Sequence, residues 1–376
     1  MVELTIGVYN TDFELIGVID EIENLQITNN LTTSSTFSLN VVLTPELAQI
    51  LKVDNYIILN RENEYKANVF IIEYQNINLS SDGTYSLQIQ GRNLVSLLAR
   101  RVVTKLYNVT NINAETIIKA LIFNELINTI EARKINNLNY IDNTLINTLV
   151  TYSNSQLYSN LLDEVTSILT VAELGISITL NLKTREFNIE LYIGQDKTLN
   201  ADYPIIFSTE LNNIMSEEFT HSTKDYVNVA YVYGEVGTSD TQELVIVDPS
   251  SANGINRYEQ SLSADLQGVT SEYQADLQGI TTTDYKTVFQ NSGEIYIKNK
   301  DLYKCFSANL NIDSEIQFRT DFNLGDTITC ISNEWGINED LQITQAVETW
   351  SNKGYSVSFQ LGKSLPTLVE KLNRIK

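Results

Sequence analysis

Apolar and polar positions alternate along much of the first hundred residues. Leu4, Ile6 and Val8 are separated by small or polar residues, and a turn around Asn10, Thr11 and Asp12 leads to Phe13, Leu15, Ile16, Val18 and Ile19. Phe37, Leu39, Val41 and Leu43 repeat with a period of two, the spacing that turns one face of a strand toward a core. Residues 56–59 and 69–74 are further apolar runs. Ser81, Asp82 and Gly83 have the composition of a hairpin turn before the alternating Tyr85, Leu87 and Ile89. Short strands at this spacing predict a small barrel or sandwich. Gly91 is expected to end the last strand, and residues 93–103 to form a short helix with Leu94, Leu97 and Leu98 on one face.

The period changes near residue 110. Asn113 is placed to cap a helix carrying Ile117, Ile118, Leu121 and Ile122. A second helix is expected from about Ser155, with Leu157, Leu161, Leu162, Val165, Ile168 and Leu169 at helical spacing and Gly175 as its stop. Strands over 177–182 and 186–192 follow, with Lys183 and Thr184 in the turn. Two helices and a hairpin predict a compact α/β insertion. Strands return at 212–221 and 227–233.

From 238 to 291 the chain is polar and contains a duplication: Ala264-Asp265-Leu266-Gln267-Gly268 recurs eleven residues later as Ala275-Asp276-Leu277-Gln278-Gly279. Two copies are too few for a solenoid. They predict a duplicated surface loop or short helix pair, or more sharply a docking surface for a neighbouring subunit. Leu324-Gly325-Asp326 then turns into a strand over 327–332. Residues 341–349 and 355–361 are strands around a turn at Asn352, Lys353 and Gly354. Leu365, Leu368, Leu372 and Ile375 predict a closing amphipathic helix, with Pro366 in its first turn.

The 376 residues suffice for several domains, and 43% hydrophobic content is globular. Lys plus Arg number 25 against 47 Asp plus Glu, a formal net charge of −22. That balance disfavours docking on a nucleic-acid duplex or on anionic lipid. It leaves two uses for the carboxylates: solvating an outer surface, or lining a channel past which polyanions slide. No apolar run approaches a membrane span and no leader segment is evident, so assembly in the cytoplasm is expected.

Chemistry is sparse. His221, the single histidine, leaves little room for a Ser-His-Asp or Cys-His centre. Cys305 and Cys330 are read as two buried free thiols. Gly362-Lys363-Ser364 lacks the upstream glycine of a phosphate loop, since position 357 is Val357, and Ser364 is read as a helix cap. Acidic pairs such as Asp163-Glu164 and Glu217-Glu218 are commonplace in so acidic a chain. No catalytic, cofactor-binding or metal-ligating residue is assigned, and no cofactor is expected.

Several phrases carry a resemblance. Residues 13–20 (FELIGVID), 35–43 (STFSLNVVL), 91–103 (GRNLVSLLARRVV), 227–234 (VNVAYVYG) and the closing stretch 324–362 resemble the Gp37-like family of siphophage tail proteins, relatives of the gp27-like hubs of contractile tails. The family's Phe-Gly ending is here Leu361-Gly362. The resemblance implies a mainly β fold with an α/β insertion: two small tail-tube-like β-barrels, an α/β domain and a polar inserted region. The expected division is an N-terminal barrel at 1–105, an α/β insertion at 106–205, a second barrel from 206–237 and 292–362, the polar insertion at 238–291, and a C-terminal helix at 363–376.

The resemblance further implies a homotrimeric baseplate hub in a virion or tail-like particle, adapting a six-fold tube to a three-fold tip. Its partners would be a tail-tube or distal tail protein, a spike or fibre protein, a baseplate wedge and a tape-measure protein. DNA would traverse the lumen without specific binding, and the chain would not bind membrane. A hexameric distal tail or wedge component competes with this within the same class. A carbohydrate-binding or cell-wall-degrading tip protein competes from another. For the latter, 20 tyrosines with Trp335 and Trp350 would supply stacking platforms.

Overall fold

The computed structural model describes residues 4–61, 68–79, 85–105, 107–153, 158–237, 242–264, 266–267 and 285–363. The expected turn at 81–83, most of the duplication at 264–285 and all but Lys363 of the expected terminal helix lie outside these residues.

Seven strands form the first part: β1 (Leu4–Tyr9), β2 (Leu15–Ile19), β3 (Asn24–Asn30), β4 (Thr36–Val42), β5 (Tyr56–Arg61), β6 (Asn68–Leu79) and β7 (Tyr85–Asn93), with helix α1 (Pro45–Ile50) before β5. They hydrogen-bond in the order β3-β4-β7-β6-β5-β1-β2 and curl around one core of Ile6, Val8, Leu25, Ile27, Phe37, Leu39, Phe70 and Leu87. The unbroken apolar runs of β5 and β6 have a reason. Ile57, Leu59, Phe70 and Ile72 face this core, whereas Ile58, Val69 and Ile71 face the next one. Gly91 does not end its strand, which continues to Asn93. A Cβ at Gly91 would lie 1.8 Å from the Ile71 carbonyl oxygen, so glycine admits the close crossing beside a β6 bulge at Ile72/Tyr74. The expected helix after it is a 3₁₀ segment, Leu94–Arg100. Leu94, Val95, Ser96 and Leu98 are all buried, so no single helical stripe is involved.

The second part contains β8 (Asn108–Asn113), α2 (Ala114–Ile122), β9 (Leu138–Ile141), β10 (Leu149–Ser153), α3 (Leu161–Ala172), β11 (Leu174–Asn181) and β12 (Glu186–Ile193). Asn113 caps α2 as expected, its side chain accepting from the Glu115 N–H at 2.8 Å, and Ile117, Ile118, Leu121 and Ile122 are fully buried. Helix α3 starts later than expected, at a cap from Asn160. It stops at the left-handed Glu173 instead of Gly175, which lies inside β11. The hairpin of β11 and β12 pairs Asn181 with Glu186.

The remaining chain forms β13 (Asp196–Lys197), β14 (Ile206–Phe207), β15 (Ile214–Ser222), β16 (Val229–Gly237), β17 (Gln242–Val247), β18 (Glu259–Ser263) and β19 (Leu266–Gln267). Helix α4 (Tyr285–Asn299), β20 (Tyr303–Leu310), β21 (Thr327–Ser332), β22 (Ile337–Ser351) and β23 (Gly354–Gly362) follow. Strand β16, expected with the second barrel, pairs instead with β17, β18 and β19 in a separate sheet. Ala230, Val232 and Val247 of that sheet pack on Phe289 of α4, a helix absent from the sequence reading.

A second curled layer, β15-β20-β23-β22, surrounds Phe207, Phe306, Phe322, Phe359 and Leu361, with β21, β13 and β14 behind it. The fold is therefore mainly β, with two barrel-like cores and an α/β insertion. The two layers are not separate, because β22 pairs with β3 from Gln345↔Asn30 to Ser351↔Asn24. One sheet thus runs β15-β20-β23-β22-β3-β4-β7-β6 and onward to β2.

Candidate functional site

From β15 through β20, β23, β22, β3, β4 and β7 to β6 beyond its bulge, the continuous sheet has one apolar face, buried in the two cores, and one polar face. Cross-strand partners define rows on the latter. One row reads Glu218, Ser307, Gln360, Gln345, Asn30. The next reads Ser216, Asn309, Ser358, Val347, Thr28, Thr36, Arg92. A third reads Ser356, Thr349, Gln26, Ser38, Gln90, Tyr74. Glu218 and Arg92 are the charges in these rows, and they are of opposite sign. Side chains bond along the rows: Gln345 Nε2 donates to Asn30 Oδ1 at 2.9 Å, and Asn309 Nδ2 to Ser216 Oγ at 2.6 Å. Arg92 is held by Glu73, its Nε donating to Oε2 at 2.6 Å, and this bond raises the guanidinium pKa. The face dips twice, into hollows of about 380 Å³ beside Gln26, Ser38 and Gln90 and about 400 Å³ beside Ser307, Ser358 and Gln360.

The polar face is built twice from one plan. Strand β5 pairs with β6 as far as Tyr56↔Ile71, and a bulge follows at Ile72/Tyr74. Strand β21 pairs with β22 as far as Thr327↔Gln342, and a bulge follows at Ile343/Gln345. Before each, one turn repeats. The Asp54 N–H donates to the Ile72 carbonyl at 2.9 Å, and the Ile72 N–H to the Asn55 carbonyl at 2.8 Å. The Gly325 N–H donates to the Ile343 carbonyl at 2.9 Å, and the Ile343 N–H to the Asp326 carbonyl at 2.8 Å. Asp54 and Gly325 share a left-handed backbone, φ 72° and 96°. Strands β3, β4, β7 and β6 thus correspond in order to β15, β20, β23 and β22.

The junction between the copies, β3 against β22, encloses a polar cluster. Glu348 is buried on the core side of β22 and accepts from Asn29 Nδ2 at 2.9 Å, Tyr355 Oη at 3.0 Å and Arg319 Nη2 at 2.7 Å. A buried carboxylate is tolerated only with such partners.

The polar layer ends at two edges. Among the described residues, β15 pairs with β20 alone, and β6 beyond its bulge pairs with β7 alone. Apolar side chains stand exposed there: Met215 on β15, 65% accessible, and Ile77 and Leu79 on β6, 51% and 55%. Open edges with apolar side chains are sites of strand pairing with another chain.

The residues singled out in the sequence do not converge. His221 is exposed on β15. Cys305 and Cys330 are buried free thiols, and burial pushes both above the usual thiol range. Trp350 packs on Tyr355 inside the first core, ring centroids 4.9 Å apart, while Trp335 is exposed. The two tryptophans therefore form no common platform. Glu164 on α3 is half-buried and Asp163 beside it is exposed. Among the described residues no three metal-ligating side chains cluster, and no helix is long and apolar enough to cross a membrane. The polar face escaped sequence reading because its signal is a register between distant strands. The alternating Gln, Ser, Thr and Asn of β4, β7, β22 and β23 were its visible trace.

The fold is shared with solved tail proteins. The tail protein from Neisseria meningitidis MC58 superimposes with a TM-score of 0.52 at 12% identity, covering 96% of this chain and 97% of that one. The prophage MuSo2 43 kDa tail protein from Shewanella oneidensis gives 0.55 at 10% identity, with 96% and 98% covered. Prophage tail protein gp18 from Listeria monocytogenes EGD-e gives 0.51 at 12% identity, with 99% and 98% covered. At these identities the likeness is one of fold. No curated protein matches the chain. The sequence resemblance is borne out by a family model matching residues 5–363, and the chain belongs to that phage-tail structural family, the Siphovirus ReqiPepy6 Gp37-like proteins.

Proposed function

We propose that this chain is a non-enzymatic hub subunit, three copies of which close a ring at the distal end of the tail tube of a phage or tail-like particle. The observation that carries the reading is the duplicated half-barrel: a trimer of a twice-repeated layer offers six equivalent units to a six-fold tube and three to a three-fold tip. The polar face would line the bore. Its amides and hydroxyls offer passing DNA or a tape-measure polypeptide neither cationic nor extended apolar ground. Of the two uses open to the carboxylates, this reading favours solvation of an outer surface, because the rows carry one glutamate and one arginine.

A tail-tube or distal tail protein would meet one rim and a spike or fibre protein the other. The α/β part, packed behind β5 and β6, would face outward toward a baseplate wedge. The subunit would assemble in the host cytoplasm and reside in the particle. Native mass spectrometry of the purified chain tests this, with three copies per particle expected. A strictly monomeric chain at all accessible concentrations would sink it.

A further inference from the structure

The two open edges of the polar layer have an in-chain precedent that fixes how they would meet. Strand β22 beyond its bulge is covered by β3, antiparallel, with Gln345 opposite Asn30, Val347 opposite Thr28 and Thr349 opposite Gln26. The equivalent stretch of β6 beyond its bulge has no strand on that side among the described residues. The strand equivalent to β3 is β15, itself an open edge at the other end of the layer.

The correspondence can be carried to single residues. Gln345 and Tyr74 both follow the bulge, and they pair with Gln360 and Gln90 respectively. Gln360 pairs onward with Ser307, and Gln90 with Ser38. Ser307 pairs with Glu218, and Ser38 with Gln26. Glu218 therefore occupies the place of Gln26, and Asn78 the place of Thr349.

We propose that β6 of one copy pairs antiparallel with β15 of the next. Asn78 lies opposite Glu218, Asn76 opposite Thr220 and Tyr74 opposite Ser222 on the polar face. On the core side Ile77 meets Phe219 and Leu79 meets Glu217. The occupant is a second copy of this chain, since among the described residues the in-chain counterpart of each edge's missing neighbour lies at the far end of the same layer. The contact is head-to-tail and closes when the curvature returns on itself. It covers Ile77 and Leu79, whose exposure the single chain leaves without a structural reason. This inference rests on the ring reading and adds its register, which that reading alone does not give.

Register is read by disulfide trapping. Asn78 and Glu218 are both exposed, so Asn78→Cys with Glu218→Cys perturbs little of the folded chain. Directly opposed residues lie within disulfide reach, whereas partners two residues away on the same face are about 7–8 Å apart and are not. Mild oxidation of Asn78→Cys/Glu218→Cys is expected to yield covalent dimers and closed trimers on non-reducing gels. Asn78→Cys/Ser216→Cys and each single variant are expected to yield none.

Trapping of the Ser216 pair, or no trapping in a chain that native mass spectrometry shows to be trimeric, overturns the register and leaves the trimer standing. A monomeric, untrapped chain overturns both. Trapping of the Glu218 pair in an assembly other than a trimer supports the strand pairing and overturns the stoichiometry.

Discussion

Glu348 joins the two halves of the layer at the scale of one side chain. It sits on β22 within reach of Asn29 on β3, Tyr355 on β23 and Arg319 on the loop before β21, so four chain segments converge on two carboxylate oxygens. Two-residue slippage of β22 along β3 would keep every side chain on its proper face but strand this carboxylate in the apolar core. The cluster thus selects one register at the junction. Glu348→Ala leaves the Arg319 guanidinium, itself about a quarter exposed, without its counter-ion. Removing one partner of a buried pair costs about 3–5 kcal/mol, and the partial exposure of Arg319 places the loss near the lower figure. Urea unfolding of the variant checks this, and a midpoint unchanged from the parent would show that the cluster does not hold the junction.

At the scale of elements, α3 is clamped to β10 through Tyr152, whose hydroxyl donates to Glu164 Oε2 at 2.7 Å. Burial raises the Glu164 pKa despite the bond from Tyr152, and Asp163 next to it adds to the rise. The folded chain therefore holds this proton more tightly than the unfolded chain. The stabilisation is complete below the unfolded value near 4.5 and is lost as pH rises through the higher folded value. Glu164→Gln does not titrate, so its stability relative to the parent is expected to rise across that window. Unfolding midpoints between about pH 4 and 8 test the sign; a parent that gains on the variant with rising pH contradicts it.

Elements with one clean stripe were legible in the sequence. Helix α2 shows Ile117, Ile118, Leu121 and Ile122 in one band, and β4 shows Phe37, Leu39 and Val41 in strict alternation. Strand β3 was not legible. Asn29, a core-face position, is polar because Glu348 needs it, so only Leu25 and Ile27 remain as signal. Helix α4 escaped for a related reason. Phe289 faces its own sheet, but Asn291 donates to Asn108 at 2.6 Å and Asn299 to Ser167 at 2.7 Å, which breaks the apolar stripe.

At the scale of the whole molecule, the duplication of the half-barrel is carried by backbone pairing and hardly by residue identity. Ile77 stands where Glu348 stands in the other half, and Glu218 where Gln26 does, because one junction lies inside the chain and the other is an edge. The in-chain junction is never exposed once folded and is specified by a buried charge. The edge must persist in water before assembly, and it carries the uncharged Ile77 and Leu79, whose burial favours association. Each is about half exposed, so covering it contributes roughly 1 kcal/mol, and the proposed ring of three would repeat that gain at each junction. Lysine at both positions replaces it with two cations at every junction. Ile77→Lys/Leu79→Lys is expected to sediment as a monomer with an unchanged far-ultraviolet circular dichroism spectrum. Leu145→Lys, at a more exposed apolar residue of the α/β part, is expected to stay trimeric. A double variant that still forms trimers would place the contact between copies elsewhere than on the open stretch of β6.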